Sequence, residues 1–322
     1  MKIKATQQTI VFALFVVMAL GFALFLPGFA RIDNLLTLLQ NVAILGILGL
    51  GMSLVVIGRG IDISMIAALA VPSGLLLQLV EQGQPLASAA LIALGLTLAF
   101  GLVNGWLIAY AEVPSLFTTL ASGLFLAGLG QAFLFRLEVV QWPAAADHIA
   151  WFGRGTLAGL PMPVVMFALA SAAVALFLKR LRAGAFIYAI GDNPMAARAT
   201  GLPTRPVVVL EYVLASLIGL FAGLVMAASV NSMPTRIFNS TMVYDVVLVV
   251  VLGGIGLSGG RGGVLNVIVG TLLIGTMLNG MTILDMSYSV QNIVKGVVLL
   301  AAILIDSILN PRNEETAQQG DI

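Results

Sequence analysis

The chain contains no cysteine and a single histidine, His148. Disulfides and thiolate metal sites are therefore excluded, and one imidazole cannot build a His-ligand metal cluster. Charge is scarce as well. Only 9% of the 322 residues are charged, against roughly 25% in soluble globular domains. A water-facing surface cannot be covered at that density, so lipid covers much of it. The net charge is +1, and nothing in it suggests a nucleic-acid partner. The four lysines follow Met1, Ile3, Leu178 and Val294. None follows glycine, so there is no phosphate-cradling Gly-Lys loop and the chain cannot itself be a P-loop ATPase.

What is abundant is apolar sequence, 60% of the residues, together with 35 glycines. In membranes small residues let helix backbones approach closely. Crossing a bilayer takes about 20 apolar residues, and this criterion predicts ten spans. They lie near 10–26, 35–57, 65–80, 86–110, 116–135, 164–178, 207–230, 244–257, 264–284 and 290–309. The fold class expected is thus an all-α polytopic membrane protein, read as one transmembrane domain over 1–322. Most prolines fall in loops or at helix ends. Pro72 sits inside a span and is expected to kink or break it. The first span exceeds the apolar region of about 7 to 15 residues usual in a cleaved signal, and is expected to be retained.

Lysine and arginine placement sets orientation. With the N-terminus inside, Lys2, Lys4, Arg59, Lys179, Arg180, Arg182, Arg198, Arg205, Arg261 and Arg312 fall on the inner side. Arg31, Arg136, Arg154 and Arg236 fall on the outer side, and Lys295 lies within a span. Both termini are expected in the cytoplasm. A long outer loop would then run over 136–163 and a long inner loop over 179–206.

Two segments resemble each other: LVVIGRGIDIS at 54–64 and LVVVLGGIGLS at 248–258, identical at six of eleven positions. Asn104-Gly105 likewise matches Asn279-Gly280. The expectation is two repeat halves, about 35–135 and 207–309, displaced by five spans and so of opposite topology. Inverted repeats are a common transporter architecture, with the pathway near the repeat interface.

GIGLSG at 254–259 fits a dinucleotide-binding glycine pattern, but that pattern needs a strand–turn–helix setting and here it joins two membrane spans. The pairs Gly101/Gly105 and Gly219/Gly223 read as helix-packing contacts. Polar residues within spans are costly and often functional: Asn41, Asn104, Gln131, Glu211, Asn266, Asn279 and Lys295. Glu211, one turn into its span, is expected to reach the headgroups. The other acids, Asp62, Asp245, Asp285 and Asp306, sit near span ends, which counts against a proton-driven carrier. Asp62 and Ser64 are expected to cap a helix start, with a role in the pathway as the other reading. Asn41, Asp62, Ser64, Asn104 and Asn279 are the candidates for the translocation pathway or for helix packing. In the inner loop, Asn193 (N-cap), Pro194 at the first helical position and Gly201 at the end predict a short helix. Ala196, Ala197 and Ala199 keep it slim, and Arg198 gives it charge.

With these motifs in order, the chain resembles the permease subunits of bacterial ABC importers for ribose, xylose and related sugars, over nearly its whole length. GRGIDIS at 58–64 is similar to the family's GGIDLS segment. GLVNGWLIAYAEVPSLFTTL at 101–120 follows its N-G…V-P…T-L stretch, AGAFIYAIGDNPMAARATGLP at 183–203 its inner-loop motif, and LGGIGLSGGRG at 252–262 its glycine loop. The sequence departs from the pattern at Arg59, where a small residue is usual, at Glu211, and over 234–243, which lacks the usual Gly and Glu. The resemblance implies a multi-pass protein of the bacterial inner membrane, doing no covalent chemistry and binding no cofactor. ATP and Mg would be used by a partner ATPase, a periplasmic binding protein would deliver a monosaccharide or polyol, and a second permease, identical or not, would complete the pathway. Tyr188, Gly191, Asn193, Pro194, Ala196, Ala197, Arg198 and Gly201 would form the ATPase-coupling loop. The alternatives are a permease for branched-chain amino acids or nucleosides, and a stand-alone secondary carrier.

Overall fold

Apolar runs punctuated by proline and glycine decide where the helices begin and end. The computed structural model describes residues 7–135 and 138–309. Lys2, Lys4, Arg136, Pro311 and Arg312, and both chain ends, lie outside the described residues. The first half runs α1 (Gln7–Phe25), α2 (Ile32–Ile57), α3 (Met65–Glu81), α4 (Leu86–Ala109) and α5 (Ser115–Leu129), extended by a π turn at Gly130–Leu134. A connection follows with β1 (Val139–Gln141), a 3-10 turn (Ala144–Ile149), α6 (Trp151–Arg154) and the two short strands β2 (Thr156–Leu157) and β3 (Leu160–Pro161). Then come α7 (Met162–Arg180), α8 (Arg182–Asp192), α9 (Pro194–Ala199), α10 (Thr204–Val230), β4 (Ser232–Pro234), a 3-10 turn (Ile237–Asn239), α11 (Met242–Leu252), α12 (Val264–Ile283) and α13 (Tyr288–Leu309). β1 pairs antiparallel with β4, Val140 opposite Met233.

Each of the ten expected spans has its helix. α1, α2, α4, α5 with its extension, α7, α10 and α12 are long and apolar enough to cross a membrane, α3 and α11 are shorter apolar helices, and α13 is apolar over Tyr288–Leu304. The span expected at 244–257 needs correction. α11 has 11 residues and reaches about 16 Å, roughly half of a hydrocarbon core of about 30 Å. Beyond it the chain leaves the helix, with Gly253, Ile255, Gly256 and Gly259 buried in protein. Irregular backbone at membrane depth is tolerated in that setting. Pro72 does not break α3, which is continuous from Met65 to Glu81.

α2 is the central helix, buried along nearly all of its second half. α1 lies at the periphery on α12, largely exposed. Glycine sets the closest approaches, as expected. A Cβ on Gly105 would lie 2.6 Å from the Val209 Cα, and one on Gly101 2.7 Å from the Val213 Cα, so α4 lies backbone-to-backbone on α10. Gly219 and Gly223 do the same for α10 against α3.

The bundle has two distinct ends. At one, the β1–β4 ribbon lies near the starts of α2, α11 and α13 and the end of α12; we call it the ribbon end. At the other, α8 and α9 meet the 58–64 and 253–263 turns; this is the α9 end. The two similar sequence segments each run from a helix end into a turn at the α9 end, and the turns touch there: Gly260 N–H, two residues past the second segment, donates to the Ile57 carbonyl at 2.8 Å. They tie α2 to α11, six spans apart, so this match does not itself bear on a five-span displacement. The Asn-Gly match, in α4 and α12, has the five-span displacement. GIGLSG occupies the turn between α11 and α12, with no strand before it.

Candidate functional site

At the ribbon end, α2, α11, α12 and α13 enclose a cavity of about 690 Å³. Its walls carry Asn34, Asn41, Asn279, Gln291, Thr241 and Tyr288 among aliphatic side chains such as Leu38, Val42 and Leu278. Asn34 and Asn279 hold each other through reciprocal amide hydrogen bonds of 3.0 Å, which ties the start of α2 to the end of α12. Asn41 faces the same space. Two of the pathway candidates, Asn41 and Asn279, are thus brought together.

The same wall holds an ion pair that sequence reasoning did not assemble. Lys295 of α13 lies 2.9 Å from Asp245 Oδ1 of α11, with 7% and 15% of their side-chain surfaces exposed. Its Nζ also donates to Thr241 Oγ1 at 3.1 Å. Lys295 in an apolar span was the signal, since an intramembrane ammonium requires a partner. Asp245 was passed over as a span-end residue.

The other pathway candidates meet at the α9 end. Asp62 Oδ1 accepts from the Ser64 N–H at 2.9 Å and from Ser64 Oγ at 2.5 Å, and Asn104 Nδ2 donates to Ser64 Oγ at 3.0 Å. All three are fully buried. Asp62 therefore serves the start of α3, and Ser64 makes no cap bond of its own. Asn104 and Asn279 occupy opposite ends of the bundle, in unlike surroundings. Glu211 does not reach toward headgroups. α10 begins at Thr204, so Glu211 lies two turns in, 1% exposed and packed against Gly58. Among the remaining polar span residues, Gln131 bonds Thr235 at 2.9 Å and Asn266 the Gly253 carbonyl at 2.8 Å, which are helix-tying roles.

α2 ends with Arg59 at φ 78°. Gly60 N–H returns to the Val55 carbonyl and Arg59 N–H to that of Val56, a Schellman ending with arginine at the position that favours glycine. Left-handed φ costs a non-glycine residue roughly 1–2 kcal/mol, partly offset by glycine's larger entropy loss of about 0.5–1 kcal/mol. Arg59→Gly is expected to hold or slightly raise stability, read as an unchanged or higher melting temperature in detergent.

The short helix expected in the 179–206 loop is α9. Asn193 caps it, its Oδ1 accepting from the Met195 and Ala196 N–H groups at 3.1 and 3.0 Å. Pro194 opens it and Gly201 follows at φ +78°. α8 fastens α9 to the core. Tyr188 Oη donates to the Gly262 carbonyl at 2.8 Å, and burial pushes its phenol above the ordinary value, which keeps the proton on the donor. Gly191 lies directly on the Ile57 carbonyl and Gly260 N. One member of the proposed slim face is misplaced: Ala197 is 4% exposed and packs inward, while Met195, Ala196, Arg198 and Ala199 face outward. A tryptophan at 197 would therefore dislodge α9 from the protein rather than obstruct a partner's groove.

The chain belongs to the family described as branched-chain amino acid transport system / permease component, whose model matches residues 34–303. Among named relatives, the ribose import permease protein RbsC of Escherichia coli K12 is 33% identical over 305 residues, covering 94% of each chain. RbsC of Bacillus subtilis is 33% identical over 281 residues, covering 87% of this chain and 86% of that one. The galactofuranose transporter permease protein YtfT of Escherichia coli K12 is 33% identical over 270 residues, covering 84% and 78%. No solved structure matches the chain.

Proposed function

We propose that this chain is the membrane-spanning permease of an ATP-driven importer that passes a monosaccharide or related polyol. The observation that carries the sugar reading is the ribbon-end cavity. Its polar lining is amide, hydroxyl and an ion pair whose charges face each other, a set suited to hydroxyl groups. Relatives named for ribose and galactofuranose support this reading over branched-chain amino acids or nucleosides. A second permease, an ATPase and a solute-binding protein would complete the machine.

In this reading the α9 end faces the cytoplasm and the ribbon end faces outward, with both termini inside. α9, with its exposed Met195, Ala196 and Arg198, is the ATPase contact. The junction of Gly191, Ile57 and Gly260 carries the ATPase's movement into α2. We also infer two inverted halves, α2–α5 and α10–α13. The pairing of helices supports this: α2 on α12 mirrors α10 on α4, α2 on α11 mirrors α10 on α3, and α11 on α13 mirrors α3 on α5.

Orientation is checked by His148→Cys, which introduces the chain's one thiol. A membrane-impermeant reagent is expected to label it in intact cells; protection until permeabilisation would reverse the topology. Substrate class is checked by uptake in cells expressing the complete importer. Labelled monosaccharide is expected to accumulate and to be displaced by other sugars. Displacement by leucine or a nucleoside instead would reject the sugar reading.

A further inference from the structure

We propose that Lys295, Asp245 and Thr241 form a solute-contacting subsite in the passage, one that engages a neutral polyhydroxylated solute through two of its hydroxyl groups. This rests on the reading of the chain as a sugar permease and adds the residues that would recognise the solute.

An ammonium at membrane depth is expensive and needs a reason to be there. Holding helices together is a weak one, because a buried ion pair often contributes no more than well-packed apolar residues of the same volume. The position of this pair supplies a better one. Lys295, Asp245 and Thr241 all line the cavity shared with Asn41 and Asn279. Lys295 Nζ has three protons to donate. Thr241 Oγ1 at 3.1 Å takes one and the Asp245 carboxylate at 2.9–3.2 Å another, which leaves a third. The carboxylate has lone pairs beyond those that Lys295 occupies. Donor and acceptor thus sit side by side, with their charges cancelling. A hydroxyl group, which both donates and accepts, fits such a pair, and a pair of neighbouring hydroxyls fits it twice. The nearby ring of Tyr288, its centroid 5.8 Å from Nζ, and the aliphatic walls suit the C–H face of the same solute. Asn41 makes no side-chain hydrogen bond among the described residues and adds an unspent amide. A monovalent anion or cation gains little here, since each would find its partner already neutralised.

The test separates a structural pair from a recognising one. Lys295→Met with Asp245→Asn replaces the pair by neutral groups of similar size, so neither charge is left buried alone. The importer would be reconstituted from this chain with its ATPase and binding protein. Folding would be followed by gel filtration and melting temperature. The folded double variant is expected to take up the sugar about tenfold more slowly, the loss of two hydrogen bonds. Full uptake by the folded double variant would overturn the proposal. A second measurement stands independent of that variant's folding. The chain has no cysteine, so Asn41→Cys gives one thiol in the cavity. Lys295→Gln in that background is expected to speed labelling by a cationic thiosulfonate relative to an anionic one severalfold. An unchanged ratio would place the pair away from the solute's space and overturn the subsite. Failure of the unmodified importer to move any sugar would instead remove the function on which the subsite rests.

Discussion

Gly191→Val is expected to leave the helices inserted and to reduce ATP-driven uptake to near background. The glycine stands where α8 meets the end of α2, and an added Cβ would fall on the Ile57 carbonyl and within 2.5 Å of Gly260 N. Those two atoms bond each other at 2.8 Å, so the branched side chain must force the junction open. Both atoms are backbone and cannot rotate away, but they sit at the end of α2 and in a turn at the α9 end, so the junction can give without the spans separating. What the variant loses is rigid contact between α8, which carries α9, and the end of α2. A lever that can slip absorbs the movement it should transmit. The expected signature is a complex that still assembles and hydrolyses ATP while transport fails. Normal uptake would show that force does not travel through this contact. Met195→Glu, on the outward face of α9, should act one step earlier and weaken ATPase co-purification.

Gly105→Leu is expected to be more damaging, preventing a stable permease from accumulating. A Cβ there would lie 2.6 Å from the Val209 Cα and 3.0 Å from its carbonyl oxygen. Backbone cannot rotate away as a side chain can, so α4 would have to separate from α10. That separation would also pull Asn104 from Ser64 and unseat the start of α3. Expression with a fluorescent fusion and size-exclusion profiling would measure the effect, and a monodisperse peak at normal yield would contradict it. Gly95, one face away with nothing within 4 Å, should accept leucine.

The features legible in the sequence were those coded locally. Asn193, Pro194 and Gly201 define α9 within nine residues, and cap, first position and stop each act on the backbone beside them. The long apolar runs gave the spans for the same reason. Features that depend on distant partners were not legible. Asp245 and Lys295 are separated by fifty positions, and although Asp245 does lie at a helix start, in the first turn of α11, nothing local to it names Lys295 as its partner. Glu211 was misplaced because α10 starts before its apolar run, at Thr204, which carries the carboxylate two turns deep. The inward face of α9 was unreadable: among Ala196, Ala197 and Ala199 no polarity marks which methyl packs against the protein. Asn104 and Asn279 share a dipeptide and opposite ends of the bundle, and dipeptides do not report surroundings.

ATP-driven movement of sugar through this chain is the proposal on which the others stand. It is tested most directly in vesicles holding the chain with its ATPase, with loaded binding protein on the side of the β1–β4 ribbon. Labelled monosaccharide is expected to accumulate when ATP is supplied on the α9 side, at a rate that collapsing the proton gradient leaves unchanged. Uptake that proceeds without ATP and stops when the gradient is collapsed would contradict it.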